Sequence, residues 1–219
     1  MCPMRAFLSY QTKDKLVAGR VGKLLEGLGI SVFMAHEDID VSEEWRIRIL
    51  KELGEADLFV PILSKHYFLS IWCTQESGVA AFRNMTIVPL SIDGTIPDGF
   101  MGHIQSTKID GERPAHDDIV PGLAKLDVVF LISCLIKLVA GTRSYRDAES
   151  ACQRLQPYLS KATKEQKVEL LTISTRNSQV CNAGWCAKTF LPPLSRSHGR
   201  FMKRNDRKEL KETLARYGA

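Results

Sequence analysis

Long apolar runs are missing from this sequence of 219 residues. The longest, Val128 to Ala140, has thirteen residues and contains Lys137. A bilayer-spanning helix needs about 20 consecutive apolar residues, so this run reads as a buried helix. No secretory leader is expected either, because Met1-Cys2-Pro3-Met4-Arg5 runs straight into the first expected strand. A cytoplasmic location without membrane attachment is therefore expected. Metal-ligand spacing is lacking as well: Cys181 and Cys186 are the closest cysteine pair, are not spaced C-x-x-C, and have no histidine at ligand distance. The five histidines, His36, His66, His103, His116 and His198, are scattered and read as surface or loop residues. Six cysteines inside apolar runs of a leaderless chain predict reduced, mostly buried thiols and not three disulfides.

What is present is a chain of two characters. Its 44% hydrophobic content is enough for a buried core. Residues 1–130 hold 13 Lys+Arg and 18 Asp+Glu, a net of −5, whereas residues 131–219 hold 17 and 7, a net of +10. The first part alternates β-like and helix-like runs: Arg5–Tyr10, helix 14–28, Ile30–Met34, helix 43–54, Asp57–Leu63, helix 68–83, Thr86–Ile92 and Thr107–Ile109. Such alternation with apolar strands predicts a parallel sheet covered by helices on both faces, and in doubly wound sheets ligands bind beyond the carboxyl ends of the strands. Ser9 and Tyr10, Phe33 with the acidic loop after it, and the segment after Leu63 all belong to that edge. After Gly141 strand signals stop. Helices are expected over Tyr145–Leu159, limited by Pro157, and over Lys164–Thr175 and Asp206–Arg216, with Pro192-Pro193 and His198-Gly199 as breaks. The expected domains are 1–140 (α/β) and 141–219 (a small, basic α-helical module).

The module's last segment carries Arg196, Arg200, Lys203, Arg204, Arg207, Lys208 and Lys211. A solvated helix face is the favoured reading over nucleic-acid binding, since charge is present without an aromatic platform. An anionic ligand or an acidic surface on a neighbouring subunit are the other options.

Chemistry is concentrated in Trp72-Cys73-Thr74-Gln75-Glu76. On a helix, Trp72 and Glu76 share a face, an aromatic plate beside a carboxylate, able to hold a flat cationic ring and its sugar. Alone, such a pair is usually a core residue beside a solvated one. Four further blocks stand around it in order: Phe7-Leu8-Ser9-Tyr10, the loop from Asp38 to Trp45, Ala56 to Ser64, and Ile87-Val88-Pro89-Leu90. Together the five blocks resemble the TIR (Toll/interleukin-1 receptor) domain family in its bacterial form. Where many relatives have a glycine before the acidic pair and tryptophan, this chain has Val41-Ser42.

The resemblance implies a flavodoxin-like α/β fold and one of two functions. Some TIR domains are scaffolds that recruit other TIR domains; others cleave the nicotinamide–ribose bond of NAD, and those resemble this chain in having a glutamate at the Glu76 position. By that resemblance Glu76 stabilises the oxocarbenium charge and binds ribose hydroxyls, and no second carboxylate is required because nicotinamide leaves as a neutral molecule. Trp72 stacks on nicotinamide with Phe33 as another wall, Ser9 and Tyr10 contact ribose or phosphate, Asp38 shapes the pocket rim or a subunit contact, and Cys73 lines the pocket as packing. Phe100 is the candidate for the family's second pocket aromatic. The resemblance further implies NAD as substrate and not cofactor, and homo-oligomers formed through the acidic loop. The chain also resembles the messenger-producing TIR subunit of bacterial antiphage systems such as Thoeris, which implies an ADP-ribose-derived product, cyclic or linear, read by a separate effector. The alternative is a non-catalytic adaptor acting through TIR–TIR assembly.

Overall fold

The computed structural model describes residues 4–34 and 45–218. By their internal contacts the residues divide into two compact units, Met1–Leu126 and Asp127–Ala219. The apolar helix 128–140 thus groups with the second unit, whereas the sequence reading had ended the first domain after it.

The first unit runs β1 (Arg5–Ser9), α1 (Lys15–Gly27), β2 (Ser31–Met34), α2 (Trp45–Glu55), β3 (Leu58–Leu63), α3 (Ile71–Phe82), β4 (Thr86–Ile87), β5 (Leu90–Ser91), β6 (Thr107–Lys108) and α4 (His116–Leu126). The sheet order is β2-β1-β3-β5-β6, with β4 also on β3, and every pairing is parallel. Leu58 faces Thr86 and Ile62 faces Leu90, the same offset, so β4 and β5 are one strand interrupted at Val88-Pro89. Winding changes direction between β1 and β3, which creates a switch point where loops diverge and leave room for a ligand. Ser9 and Leu63 end the two strands there.

Local chemistry explains the joints. Gly29 adopts φ 78°, a left-handed turn that lets the chain leave α1 and enter β2. The Arg83 guanidinium, at the end of α3, donates to the carbonyls of Leu53 and Ala56 (3.0 Å for the latter) and so satisfies the C-terminal end of α2. Glu52 on α2 is only 5% exposed and is ion-paired with both Arg5 (2.5 Å) and Arg48 (3.1 Å). On the α2/α3 side of the sheet, Phe7 packs on Phe33 and Phe59, with ring centroids 5.3 and 5.9 Å apart, above Ile49, Leu53, Tyr67 and Ala80. On α1, Val21 and Leu25 are buried, as is Leu28 just after it, whereas Leu16 is exposed.

On α4, Gly122 allows an unusually close approach to the sheet: a Cβ there would lie 2.6 Å from both Val88 methyl carbons. Gly122→Ala is expected to lower unfolding free energy by about 1–3 kcal/mol through overpacking. Urea denaturation measures it, and an unchanged midpoint would mean that Val88 yields without cost.

The second unit is helical: α5 (Val128–Ala140), α6 (Tyr145–Leu155), α7 (Lys164–Arg176), α8 (Ser178–Cys181), α9 (Leu191–His198) and α10 (Arg204–Ala215). Asp127 caps α5 by accepting from the amides of Val129 and Phe130, both at 2.9 Å. Gln166 completes a capping box with Thr163 and donates through Nε2 to the Val129 carbonyl (2.7 Å) and to Ser133 Oγ (2.9 Å), tying α7 to the first turns of α5. Asn177 Nδ2 donates to the carbonyls of Ala140 and Thr142 at the other end. Pro157 limits α6 as expected, and a 3-10 turn over Gln156–Lys161 follows. Pro192-Pro193, read as a break, instead opens α9. Proline is compatible with the first turn of a helix, where its missing N–H has no intrahelical partner to lose. A π-helical turn, Cys186–Phe190, leads into it.

Candidate active site

The site is assembled from three segments that end or begin at the carboxyl edge of the sheet. β1 delivers Ser9, the turn after β3 delivers Tyr67, and α3 delivers Trp72, Cys73, Glu76 and Ser77. Ser70 caps α3 by accepting from the Cys73 amide at 3.4 Å, which fixes the helix phase. That phase turns Glu76 inward, 4% exposed, and leaves Trp72 44% exposed one turn earlier.

Inside, the polar groups form a chain. Ser9 Oγ donates to Glu76 Oε2 at 2.5 Å and lies 2.8 Å from the Tyr67 hydroxyl. The Tyr67 hydroxyl lies 3.0 Å from Ser77 Oγ, which is 2.8 Å from the Cys73 carbonyl. With the Ser9 proton directed to Glu76 and the Ser77 proton to the Cys73 carbonyl, the single Tyr67 proton is left to serve either Ser9 or Ser77. Burial pushes the Glu76 carboxyl up to about 7 against the downward pull of the Ser9 hydrogen bond. Burial also holds the Tyr67 phenol well above its ordinary value and lifts the Cys73 thiol to about 11. Cys73 is therefore a neutral packing residue and not a thiolate nucleophile.

Trp72 and Glu76 together line a cavity of about 500 Å³, within the range of small-ligand sites. Arg46 and Gln75 supply its other polar groups, and Leu50, Phe82 and Phe100 its apolar walls. Gly78 and Phe100 also border two adjoining cavities, of about 450 and 290 Å³, so a cleft continues along α3. Phe100, the candidate second aromatic, lines all three of these cavities. Among the described residues, Ser9 reaches this cavity's wall only through Glu76, while Tyr10 and Cys73, both 2% exposed, do not line it. Phe33 is turned elsewhere: it packs on Phe7, carries the Arg48 guanidinium 5.6 Å over its ring, and lines a separate cavity of about 280 Å³ with Arg5 and Glu52. Asp38, with Glu37 and Asp40, lies outside the described residues. Sequence reasoning missed Tyr67, Ser77 and Arg46. For Tyr67 the usable signal was its place just after a strand end at the switch point.

Among the described residues no group of three or more His, Cys, Asp or Glu could hold a metal ion. Nor is any helix among them long and apolar enough to cross a membrane. The five described cysteines are free thiols.

A doubly wound parallel sheet with a buried glutamate behind its switch-point edge defines a class of α/β module. The family model for the TIR domain matches residues 6–122, more than half of the chain, and the chain belongs to the TIR-domain family. That family includes NAD-cleaving enzymes and adaptors, and its members commonly self-associate. Among solved structures, the TIR domain of the Toll-related receptor TRR-2 from Hydra magnipapillata is similar with a TM-score of 0.44 and 16% identity, over 53% of this chain and 88% of that one. No curated protein matches the chain.

Proposed function

We propose that the protein cleaves the nicotinamide–ribose bond of NAD. The observation that carries this reading is Glu76: a carboxyl kept from water, raised to about 7, hydrogen-bonded by Ser9 and set one helical turn from a half-exposed tryptophan on a ligand-sized cavity. A structural carboxylate is normally solvated or ion-paired, whereas this one is buried with a hydroxyl partner. As the glycosidic bond breaks, positive charge grows on the ribose ring and the bonding electrons leave with neutral nicotinamide. Ionised Glu76 in a low-dielectric wall stabilises that charge strongly, because it is opposed by little water. Ser9, held by Tyr67, fixes the carboxylate's orientation in advance.

Trp72 would hold the nicotinamide ring by stacking. Because its side chain is half exposed, Trp72→Ala should leave the fold intact, raise KM roughly tenfold and change kcat less, in line with a lost stacking contact. An unchanged KM would remove Trp72 from the site. Water, the adenine or a hydroxyl of the same molecule, or an added nucleophile then takes the ribosyl centre, giving ADP-ribose, a cyclic isomer or a conjugate. We place the product as a nucleotide signal in bacterial antiphage immunity, made by a homo-oligomer in the cytoplasm and read by a separate effector.

The test is mass spectrometry of products after incubation with NAD at high protein concentration, with and without a crowding agent. Nicotinamide release supports the enzyme, and its companion product identifies the acceptor. The adaptor reading has its own support in exposed apolar side chains on α2 and α3, Ile47, Leu50, Ile71 and Phe82. It predicts self-association without turnover.

A further inference from the structure

The second unit contains a cavity of about 490 Å³ lined by Pro192, Ser195, Arg196, Arg200, Arg207, Lys211 and Leu214. Its charges come as two pairs at i,i+4 spacing: Arg196 and Arg200 from α9 and the turn after it, Arg207 and Lys211 from α10. On α10 like charges at this spacing repel, so that helix alone is slightly destabilised by Arg207 and Lys211. No carboxylate lines the cavity among the described residues, and none of Arg196, Arg207 and Lys211 has an ion pair there. Beside the cavity on α10, Lys208 pairs with Glu212, and Asp206 pairs with Arg176 of α7. The concavity thus gathers four cations with no carboxylate among its described lining residues.

We propose that this cavity binds a small polyphosphate anion, either inorganic or as the phosphate tail of a nucleotide. Three guanidiniums suit phosphate oxygens, which they can grip through two parallel N–H donors, and Ser195 adds a hydroxyl. The volume fits a ligand of mononucleotide size. Pro192 and Leu214 provide the limited apolar surface that a sugar or base edge could cover. Four converging cations call for several negative charges in one place, which a diphosphate supplies and a single carboxylate does not. A nucleic-acid strand is the weaker fit. Phe201, the nearby exposed aromatic, already carries the Lys164 ammonium 3.6 Å over its ring centroid and the Arg200 guanidinium at 4.7 Å, so its faces are engaged and it is not an open platform for bases. The proposal is independent of any activity at Glu76.

Isothermal titration of the full chain with inorganic pyrophosphate and, separately, ADP tests it. Arg207→Gln/Lys211→Gln serves as the variant, since both side chains are exposed and their loss spares the helical core. Binding that weakens at least roughly tenfold in the variant and falls with added salt is the expected result. Arg196→Gln should weaken it too, and circular dichroism should show both variants folded. Equal affinity for pyrophosphate and ADP would assign the site to the phosphates alone; tighter ADP binding would add the nucleoside. No binding of either probe at millimolar concentration and low salt, or binding indifferent to these substitutions, overturns the proposal. So does a preference for single-stranded DNA over both probes.

Discussion

Replacing Glu76 by glutamine is expected to remove nicotinamide release and, at alkaline pH, to raise the unfolding temperature. The two effects share one cause. Glutamine has the same shape and can still accept the Ser9 hydrogen bond, so the packing of α3 and the Tyr67 chain should survive. What it lacks is negative charge. Losing a buried group that stabilises transition-state charge costs about 10²–10³-fold in rate, and nicotinamide release should fall by at least that much. The same charge is costly to the folded protein, because a carboxyl lifted from 4.5 to about 7 by burial opposes folding by roughly 3 kcal/mol once ionised. Glu76→Gln removes that cost. Product analysis paired with calorimetry at alkaline pH reads both effects. Retained turnover would end the proposed role of Glu76, and an unchanged unfolding temperature would show that water reaches the carboxylate more freely than its burial implies.

The second large effect concerns pH. Between about 4.5 and 7 the folded protein holds the Glu76 proton while the unfolded chain has released it. Protons bound only by the folded state make stability fall as pH rises. The Glu76 contribution is thus fully present below 4.5 and lost as pH climbs through about 7. Activity should run the other way, since the ionised form meets the ribosyl cation: kcat/KM is expected to rise about tenfold per pH unit below 7 and level off above it. Tyr67 stays protonated throughout that range and Cys73 does so up to about 11, leaving Glu76 as the group in this cluster that titrates near neutrality. A profile of kcat/KM from about pH 5.5 to about 8.5 decides the matter, with Glu76→Gln as the control for the stability limb. A flat profile would disconnect the rate from this carboxyl.

How far the sequence could be read depended on what each residue's role rested upon. Parallel strands buried on both faces write themselves as apolar runs, and Leu58–Leu63 was legible despite Pro61, which falls at the last β1–β3 rung opposite Ser9. Trp72 and Glu76 were legible as a pair because helical spacing is local. Their difference in exposure was not, since it depends on which face of α3 meets the sheet. For Tyr67 the position after a strand end was legible but the hydroxyl chain was not: its partners Ser9 and Ser77 are 58 residues before it and 10 after it, and no local pattern marks such a chain. Phe33 was misjudged in direction. It lies one residue before the end of β2, near the expected ligand edge, but alternation along the strand and its packing on Phe7 turn its ring into the core. The Pro192-Pro193 pair shows the limit of punctuation rules, because proline ends one helix or begins the next with the same local signature.

The single residue between α4 and α5 bears on how this protein can be divided. A fragment ended after Ala140 would retain α5 without α6 and α7, leaving Leu131, Ile132, Leu135, Ile136 and Val139 stripped of the neighbours that bury them in the second unit. Such a fragment would be sticky for reasons unrelated to the candidate site. A cut between Leu126 and Asp127 leaves each piece whole: the first keeps Gly122 against Val88, and the second begins on the carboxylate that caps its own first helix. Whether turnover belongs to residues 4–126 alone can then be asked of a fragment that has not been handicapped in the asking.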